Sequence, residues 1–230
     1  MPREIFEQEL QRLQDEVLAL GEMVEQALVQ SVDDLKRRDQ EAARRLIAAD
    51  DRLNEKRFAI ESDALMLIAT QQPMASDLRV LAAILAIASE LERIGDYAKG
   101  IARISLMIGD RPLLQPLMDI PRMAETARRM LHCALEAFAR RDVALARSLS
   151  PMDDEMDALY NQTYRVLLTY IMADPAAMDQ VNHLLWVAHN LERTADRAIN
   201  ICERVVFTVT GEMEELDVEE GQRVGVESMR

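Results

Sequence analysis

The sequence predicts an all-α protein built as two tandem, pseudo-symmetric three-helix bundles. Three observations support this fold class. The 230 residues are 49% hydrophobic and 30% charged, with only 7 Gly and 7 Pro, a composition typical of long helices. Apolar residues recur at the 3–4 spacing of an amphipathic helix. Motifs of the first half also return in the second half about 100 residues later, which indicates a tandem repeat.

Turn and capping residues divide the chain into six predicted helices, at residues 4–38, 40–71, 74–108, 117–141, 143–173 and 175–209. Asp39 is placed to cap the second helix. Pro73 and Pro175 suit the first turn of a helix, where the missing N–H costs nothing. Gly109 and Gly211 suit the left-handed position that ends a long helix.

Each predicted helix presents one apolar stripe to a bundle. In the third helix the stripe includes Ile84, Leu91 and Ile101, which are separated by multiples of the helical repeat. Pro151 falls inside the fifth helix, where we expect it to remove one backbone hydrogen bond and bend the helix. We expect Trp186 and the 14 Met residues to help fill the core.

The internal repeat is the strongest organisational signal. The recurring segments are Arg38-Asp39 with Arg141-Asp142, Asp50-Asp51 with Asp153-Asp154, and Leu91-Glu92-Arg93 with Leu191-Glu192-Arg193. We therefore predict a first three-helix unit over residues 1–110 and a second over residues 111–211. Residues 212–230 carry many acidic side chains without apolar periodicity, so we predict a flexible acidic tail.

Charge and hydropathy exclude several classes of function. The formal net charge of −14 disfavours nucleic acids and anionic membrane surfaces, which bind proteins largely through Lys and Arg. No apolar run approaches the length of a membrane span, and the acidic start does not resemble a signal peptide. We therefore expect a cytoplasmic protein without membrane insertion. Cys133 and Cys202 have no CxxC partner, which favours reduced thiols.

Carboxylates one helical turn apart form the candidate site. The candidate residues are Asp50, Glu92, Asp96, Asp153, Asp157, Glu192 and Asp196. Like charges at this spacing cost only about 0.2–0.5 kcal/mol, so a solvated face tolerates them. Their recurrence at matching positions makes a metal-binding or contact role as plausible as a plain solvated face. Both interpretations remain open at this point.

The chemistry of these ligands limits the choice of metal. Several carboxylates with water suit Fe, Mn, Mg or Ca, whereas the lack of Cys and clustered His argues against a dedicated zinc site. Asn54 stands where the second half has Asp157, so we expect tighter metal binding in the second bundle. His189 is a further candidate ligand. Arg93 and Arg193 suit pairing with neighbouring acids or, alternatively, phosphate binding.

The motifs together resemble those of the PhoU family. The resemblance rests on Leu91-Glu92-Arg93-Ile94-Gly95-Asp96, on the segment from Gln71 to Arg79, and on Asn190-Leu191-Glu192-Arg193-Thr194-Ala195-Asp196. It covers residues 1–211, including the repeat.

The resemblance implies a dimer-prone cytoplasmic protein that represses phosphate uptake and phosphate-starvation signalling. The implied partners are the ATPase subunit of a phosphate ABC transporter, a membrane sensor histidine kinase and a second copy of the chain. It also implies a multinuclear metal cluster, with Fe first and Mn, Mg, Zn or Ca as alternatives. In the family the metal ligands lie on Glu/Asp-x-x-x-Asp motifs. The resemblance assigns this motif to Glu92/Asp96, Asp153/Asp157 and Glu192/Asp196, whereas Asp50 with Asn54 departs from it.

Two other functions are compatible with a helical bundle. A di-iron carboxylate oxidase requires Glu-x-x-His, but Gly95 and Ala195 stand three residues after Glu92 and Glu192. A metal-binding or metal-free helical scaffold of an unrelated pathway is the second alternative. No Ser-His-Asp arrangement or Gly-rich phosphate loop is readable, so we predict that the protein is not an enzyme.

Overall fold

The computed structural model describes residues 3–114, 117 and 119–216. Over these residues the chain is α-helical apart from turns and connecting segments, and it contains no strand. The α-helices are α1 (Arg3–Arg37), α2 (Gln40–Gln71), α3 (Ala75–Ile108), α4 (Asp119–Arg140), α5 (Val143–Arg147), α6 (Ser150–Ala173) and α7 (Met178–Thr210). The predicted all-α class is confirmed.

The turn that follows the first helix of each half has the same geometry in both halves. Arg38 and Arg141 adopt positive φ angles of 59° and 54°. The N–H groups of Asp39 and Asp142 each donate to a carbonyl five residues earlier at 2.9 Å. Both Asp side chains then accept a hydrogen bond from the backbone N–H three residues later, at 2.9 and 3.0 Å. The predicted cap at Asp39 is confirmed, and the repeat reproduces it.

The prediction of one continuous helix over residues 143–173 is wrong. α5 ends at Arg147, and α6 begins at Ser150. Pro151 lies in the first turn of α6, where its missing N–H has no helical partner to lose. Inside a continuous helix its ring would clash with the carbonyl of Arg147. The proline therefore marks the start of a new helix instead of a bend.

Other predicted helix ends differ by a few residues. Pro73 precedes α3 by two residues instead of lying in its first turn. Pro175 begins a short 3₁₀ turn, and α7 starts only at Met178. Gly109 and Gly211 end α3 and α7 with φ angles of 64° and 81°, which confirms their predicted place at helix ends.

The core runs through both halves as one hydrophobic cluster. α1, α2 and α3 pack together in the first half, and α4, α6 and α7 pack together in the second. α3 also packs along α7, and α1 packs against α4. Residues of the repeated motif are fully buried at matching positions of α3 and α7: Leu91 and Leu191, Ala98 and Ala198, Ile101 and Ile201.

The Met residues divide between core and surface. Met123, Met130 and Met156 are fully buried, as expected for side chains that fill core gaps. Six others are more than half exposed: Met66, Met74, Met107, Met172, Met178 and Met213. The expectation that the Met residues belong to the core is therefore wrong for these six.

The residues that follow α7 pack against the second half. Glu214 pairs with Arg147 of α5 at 2.7 Å. Leu216 is buried, and its N–H donates to Glu203 at 3.1 Å. Residues 217–230 lie outside the described part of the chain, so the acidic tail over residues 212–230 stays a prediction there.

Candidate acidic faces

The predicted site residues lie on two matching surfaces. The first-half acidic face comprises Asp50 of α2 with Glu92 and Asp96 of α3, and the second-half acidic face comprises Asp153 and Asp157 of α6 with Glu192 and Asp196 of α7. In each half the negative charges of two other carboxylates act on the central Glu. The structure therefore brings acidic residues of adjacent helices near each other, as the sequence predicts.

The first-half acidic face already contains a cation. Asp50 is buried, and its carboxylate accepts a hydrogen bond from the ammonium group of Lys99. Asn54 also donates to Asp50 at 3.2 Å. Lys99 lies 3.8 Å from Asp96 as well, and the bond to Asp50 raises the pKa of Lys99. An ammonium group thus neutralises part of this face from within the chain.

A guanidinium group provides a second positive charge beside the same face. Arg57 of α2 is half-buried and pairs with Glu61 at 2.6 Å. Its guanidinium lies 4.2 Å from the ring centroid of Phe58, within the range of a cation–π contact. Burial raises the pKa of Glu92, with Asp96 and Asp50 adding to the rise, whereas the charge of Arg57 opposes it.

The second-half acidic face has a different balance of charge. Burial raises the pKa of Glu192 to about 7, and the negative charges of Asp196 and Asp157 add to the rise. Arg193 opposes it and pairs with Asp196 at 2.9 Å. This ion pair favours the interpretation of Arg193 as a partner of neighbouring acids.

His189 lies one turn before Glu192. Its Nδ1 is 3.3 Å from Oε2 of Glu192, but that oxygen is buried and accepts no hydrogen bond within the described residues. His189 is therefore next to the face, as predicted for a candidate ligand. Its ligand role stays a prediction.

The carboxylates do not form an assembled metal site. Over residues 3–114, 117 and 119–216, no group of three or more His, Cys, Asp or Glu side chains is arranged to hold a metal ion. Asp153 is nearly buried whereas Asp157 is exposed, so these two side chains differ in access to solvent. Metal binding by the seven predicted ligands stays a prediction.

Aromatic rings that were not predicted from the sequence border the second-half acidic face. The ring of His189 lies 6.4 Å from that of Tyr160 and 5.7 Å from that of Trp186, measured between centroids. The expectation that Trp186 is core is wrong, because this side chain is 53% exposed. Its three-residue spacing from His189 was a signal that both rings share one face of α7.

A polar contact between the two halves was also missed. Glu90 of α3 accepts hydrogen bonds from Arg197 at 3.3 Å and from Asn200 at 3.4 Å, both on α7. Elsewhere along the same two helices, Gly100 of α3 leaves room for Asn190 of α7. Long-range pairs of this kind carry no periodic signal in the sequence.

These features define an all-helical protein of two tandem three-helix units with an acidic face at the same place in each unit. The family model of the PhoU domain matches residues 17–105 and again residues 120–205. The chain therefore belongs to the PhoU family. The double match agrees with the internal repeat, while the predicted unit boundaries at residues 110 and 211 stay a prediction.

Relatives and solved structures cover nearly the whole chain. The phosphate-specific transport system accessory protein PhoU homolog of Caulobacter vibrioides is 38% identical over 90% of both chains, and PhoU of Edwardsiella tarda is 35% identical over 90% of this chain and 85% of its own. The crystal structure of Pseudomonas aeruginosa PhoU has a TM-score of 0.86 at 33% identity and covers 90% of this chain and 100% of its own. The phosphate transport system regulatory protein PhoU of Streptococcus pneumoniae has a TM-score of 0.85 at 31% identity, with 91% and 99% coverage.

Proposed function

We propose that the protein is a negative regulator of phosphate uptake and phosphate-starvation signalling. It acts by binding the ATPase subunit of a phosphate ABC transporter and a membrane sensor histidine kinase. The observation that supports this proposal best is the match over nine-tenths of the chain to proteins named as accessory to phosphate-specific transport. The protein works in the cytoplasm, where the ATPase and kinase domains of such partners lie.

The proposed mode of action is binding, without catalysis. Relatives with the same fold are named as accessory or regulatory proteins. α1, α2, α3 and α7 each contain more than 30 residues, which corresponds to about 50 Å of helix. Helices of this length offer preformed surfaces that are large enough for two partners at separate places.

The molecule does not itself enter the membrane in this proposal. No helix of the described residues is long and apolar enough to span a bilayer. The net charge of −14 opposes attachment to anionic lipids and to nucleic acids. Repression therefore passes through contacts with proteins, and a homodimer doubles the surfaces available for those contacts.

The acidic faces are the proposed regulatory surfaces. Asp96 is 53% exposed at the side chain, and Asp157 is exposed as well. Because neither residue contributes to the hydrophobic core, substitutions there are expected to alter binding with little effect on stability.

A reporter for phosphate-starvation genes tests the proposal in cells grown with excess phosphate. Three strains are compared: a deletion of this gene, a deletion of the kinase gene, and the double deletion. The reporter is expected to switch on in the first strain and to remain off in the double deletion. Normal repression in the first strain, or expression that persists without the kinase, contradicts the mechanism.

A further inference from the structure

A cluster of aromatic side chains is open to solvent where α6 meets α7. Trp186 is 53% exposed and Tyr164 is 44% exposed, while Tyr160 and His189 are partly buried beside them. Trp186 and His189 meet edge to face, with an interplanar angle of 70°. We call Tyr160, Trp186 and His189 the aromatic site.

Glu192 lies at the base of the aromatic site. Its Oε2 is 3.3 Å from Nδ1 of His189 and accepts no hydrogen bond within the described residues. Burial raises the pKa of the Tyr160 phenol, and the nearby carboxylate charge of Glu192 adds to the rise. A carboxylate framed by aromatic rings is the chemistry that recognises an organic cation.

The first half shows what occupies the corresponding place there. Asp142 and Asp153 repeat Asp39 and Asp50 at a constant offset along the chain. At the same offset, Tyr160 of the second half corresponds to Arg57 of the first half. The guanidinium of Arg57 lies over Phe58, pairs with Glu61 and acts on Glu92. The first half therefore supplies its own cation beside the central Glu, whereas the second half has an aromatic ring at that position.

We propose that the aromatic site binds an arginine side chain of a partner protein, which takes the place beside Glu192 that Arg57 takes beside Glu92. The inference rests on the proposed function, because it assumes that the protein acts through protein partners. The rings of Trp186 and Tyr160 offer cation–π contacts to the guanidinium, and Glu192 accepts its N–H groups. Arginine fits better than lysine because its planar group stacks on rings and also donates to a carboxylate.

The adjoining surface indicates what surrounds that arginine in the partner. Tyr164, Leu168 and Met172 follow at four-residue steps along α6 and are 44%, 37% and 86% exposed. This apolar stripe extends about 12 Å from Tyr164, and side chains at such spacing lie on one face of a helix. The partner segment is therefore an amphipathic helix with apolar residues one and two turns from its arginine.

A synthetic peptide provides the first test. The peptide is an 18-residue amphipathic helix with one Arg and with Leu four and eight residues to either side, and its control carries citrulline, the neutral isostere, in place of Arg. Trp186 is the only Trp of the chain, so its fluorescence reports binding directly. Titrations contain EDTA so that no metal ion occupies the carboxylates.

The Arg peptide is expected to change the Trp186 emission and to bind at least about tenfold more tightly than the citrulline peptide, from the cation–π and charged hydrogen-bond contributions. Glu192→Gln is expected to remove that preference. Glu155→Gln is the matched control, because it removes the same charge from an α6 residue that pairs with Arg122, away from the aromatic site, and it should preserve the preference.

Tyr160→Arg gives a second, independent test. The variant has Arg where the first half has Arg57. The protein's own guanidinium should therefore fill the site and reduce binding of the Arg peptide about tenfold or more. Circular dichroism verifies that each variant keeps its helical content. Equal affinity for the two peptides, or Arg preference that survives Glu192→Gln or Tyr160→Arg in folded protein, overturns the inference.

The reporter strains separate this inference from the proposed function. If deletion of the gene switches the reporter on but the peptides bind equally, only the arginine site is wrong. If the Arg preference is measured as expected but deletion leaves the reporter repressed, the arginine site stands and the proposed phosphate regulation is wrong.

Discussion

Asp34 is a buried carboxylate that lowers the stability of the folded protein. It is 1% exposed near the end of α1, and its Oδ2 has no hydrogen-bond partner within the described residues. Gln30 donates to the other carboxylate oxygen. Burial raises the pKa of Asp34. The matching residue of the second half is Ala137, which is also buried, so the same turn forms without the carboxylate.

Asp34→Ala is therefore expected to raise the free energy of unfolding at pH 7 by about 1 kcal/mol. The pKa of Asp34 is higher in the folded protein than in the unfolded chain, so the folded protein binds the proton more tightly. The stability of the wild type therefore falls as the pH rises from the unfolded pKa through the folded pKa. The advantage of the variant should thus be largest at neutral pH and vanish in acid. Urea unfolding across pH measures this, with Asp33→Ala, a half-buried neighbour, as the control. A gain that is constant with pH contradicts the explanation.

The acidic residues allow a second prediction at the scale of single side chains. Asp50 is already paired with Lys99 and contacted by Asn54, so metal added to the protein should prefer the second-half acidic face. The double variant Glu192→Ala/Asp196→Ala is expected to lose most bound Fe or Mn, whereas Glu92→Ala/Asp96→Ala should retain it. Elemental analysis after incubation and desalting measures the stoichiometry. Equal metal content in wild type and the first double variant would exclude these ligands.

At the scale of helices, capping residues account for where the elements begin. Asp39 and Asp142 each follow an Arg residue with a positive φ angle. They cap α2 and α5 with nearly equal hydrogen-bond geometry. The repeated cap ends one helix and starts the next at a defined place, so it sets the relative register of both helices. Pro151 has a comparable effect, because it separates α5 from α6.

Asp39→Ala and Asp142→Ala are each expected to lower the free energy of unfolding by about 1 kcal/mol, because a backbone N–H at the helix start loses its acceptor. Asn retains a side-chain oxygen, so Asp39→Asn and Asp142→Asn should lose much less. Chemical denaturation monitored by circular dichroism measures all four variants. Similar losses for Ala and Asn at either position would show that charge, and not capping, is responsible.

At the scale of the whole molecule, the two halves share one core. α3 packs along α7, with Glu90 and Arg197 paired between the two helices. α1 and α4 add a second contact, where Glu25 pairs with Arg128 at 2.8 Å. Hydrogen bonds to Glu125 and to Glu25 raise the pKa of Arg128. The halves are therefore expected to depend on each other for stability.

Gly21 permits the close approach of α1 to α4. A Cβ atom at this position would lie 2.4 Å from Cδ1 of Leu135, whose side chain is buried. Gly21→Ala is expected to lower the free energy of unfolding by about 1 kcal/mol or more, since overpacking outweighs the better helix propensity of Ala.

Gly100→Ala is the control for this prediction. Its Cβ atom would meet only the side-chain amide of Asn190, at 3.1 Å, and Asn190 is partly exposed and free to shift. Thermal unfolding by calorimetry compares the two variants. Greater stability for Gly21→Ala than for wild type would show that the junction between the halves tolerates the extra methyl group.

Much of this architecture was predictable because it depends on local signals. The helical periodicity, the cap at Asp39 and the repeat at Asp142 are written in neighbouring residues, and the structure confirms them. The acidic faces were predictable in part, because i, i+4 spacing places Glu192 and Asp196 on one face of α7. The break before Pro151 was misjudged, since a proline can either bend a helix or start one.

The helical class, the tandem repeat and the family were all predictable from the amino-acid sequence, because periodicity, caps and recurring motifs act over a few residues or repeat along the chain. Three features are set by tertiary packing instead. Lys99 neutralises Asp50, the charge of Arg57 acts on Glu92 whereas that of Glu192 acts on Tyr160, and Trp186 faces solvent. These contacts depend on which faces of distant helices meet. Helix packing angles and side-chain directions set those meetings, and no local pattern in the chain encodes them.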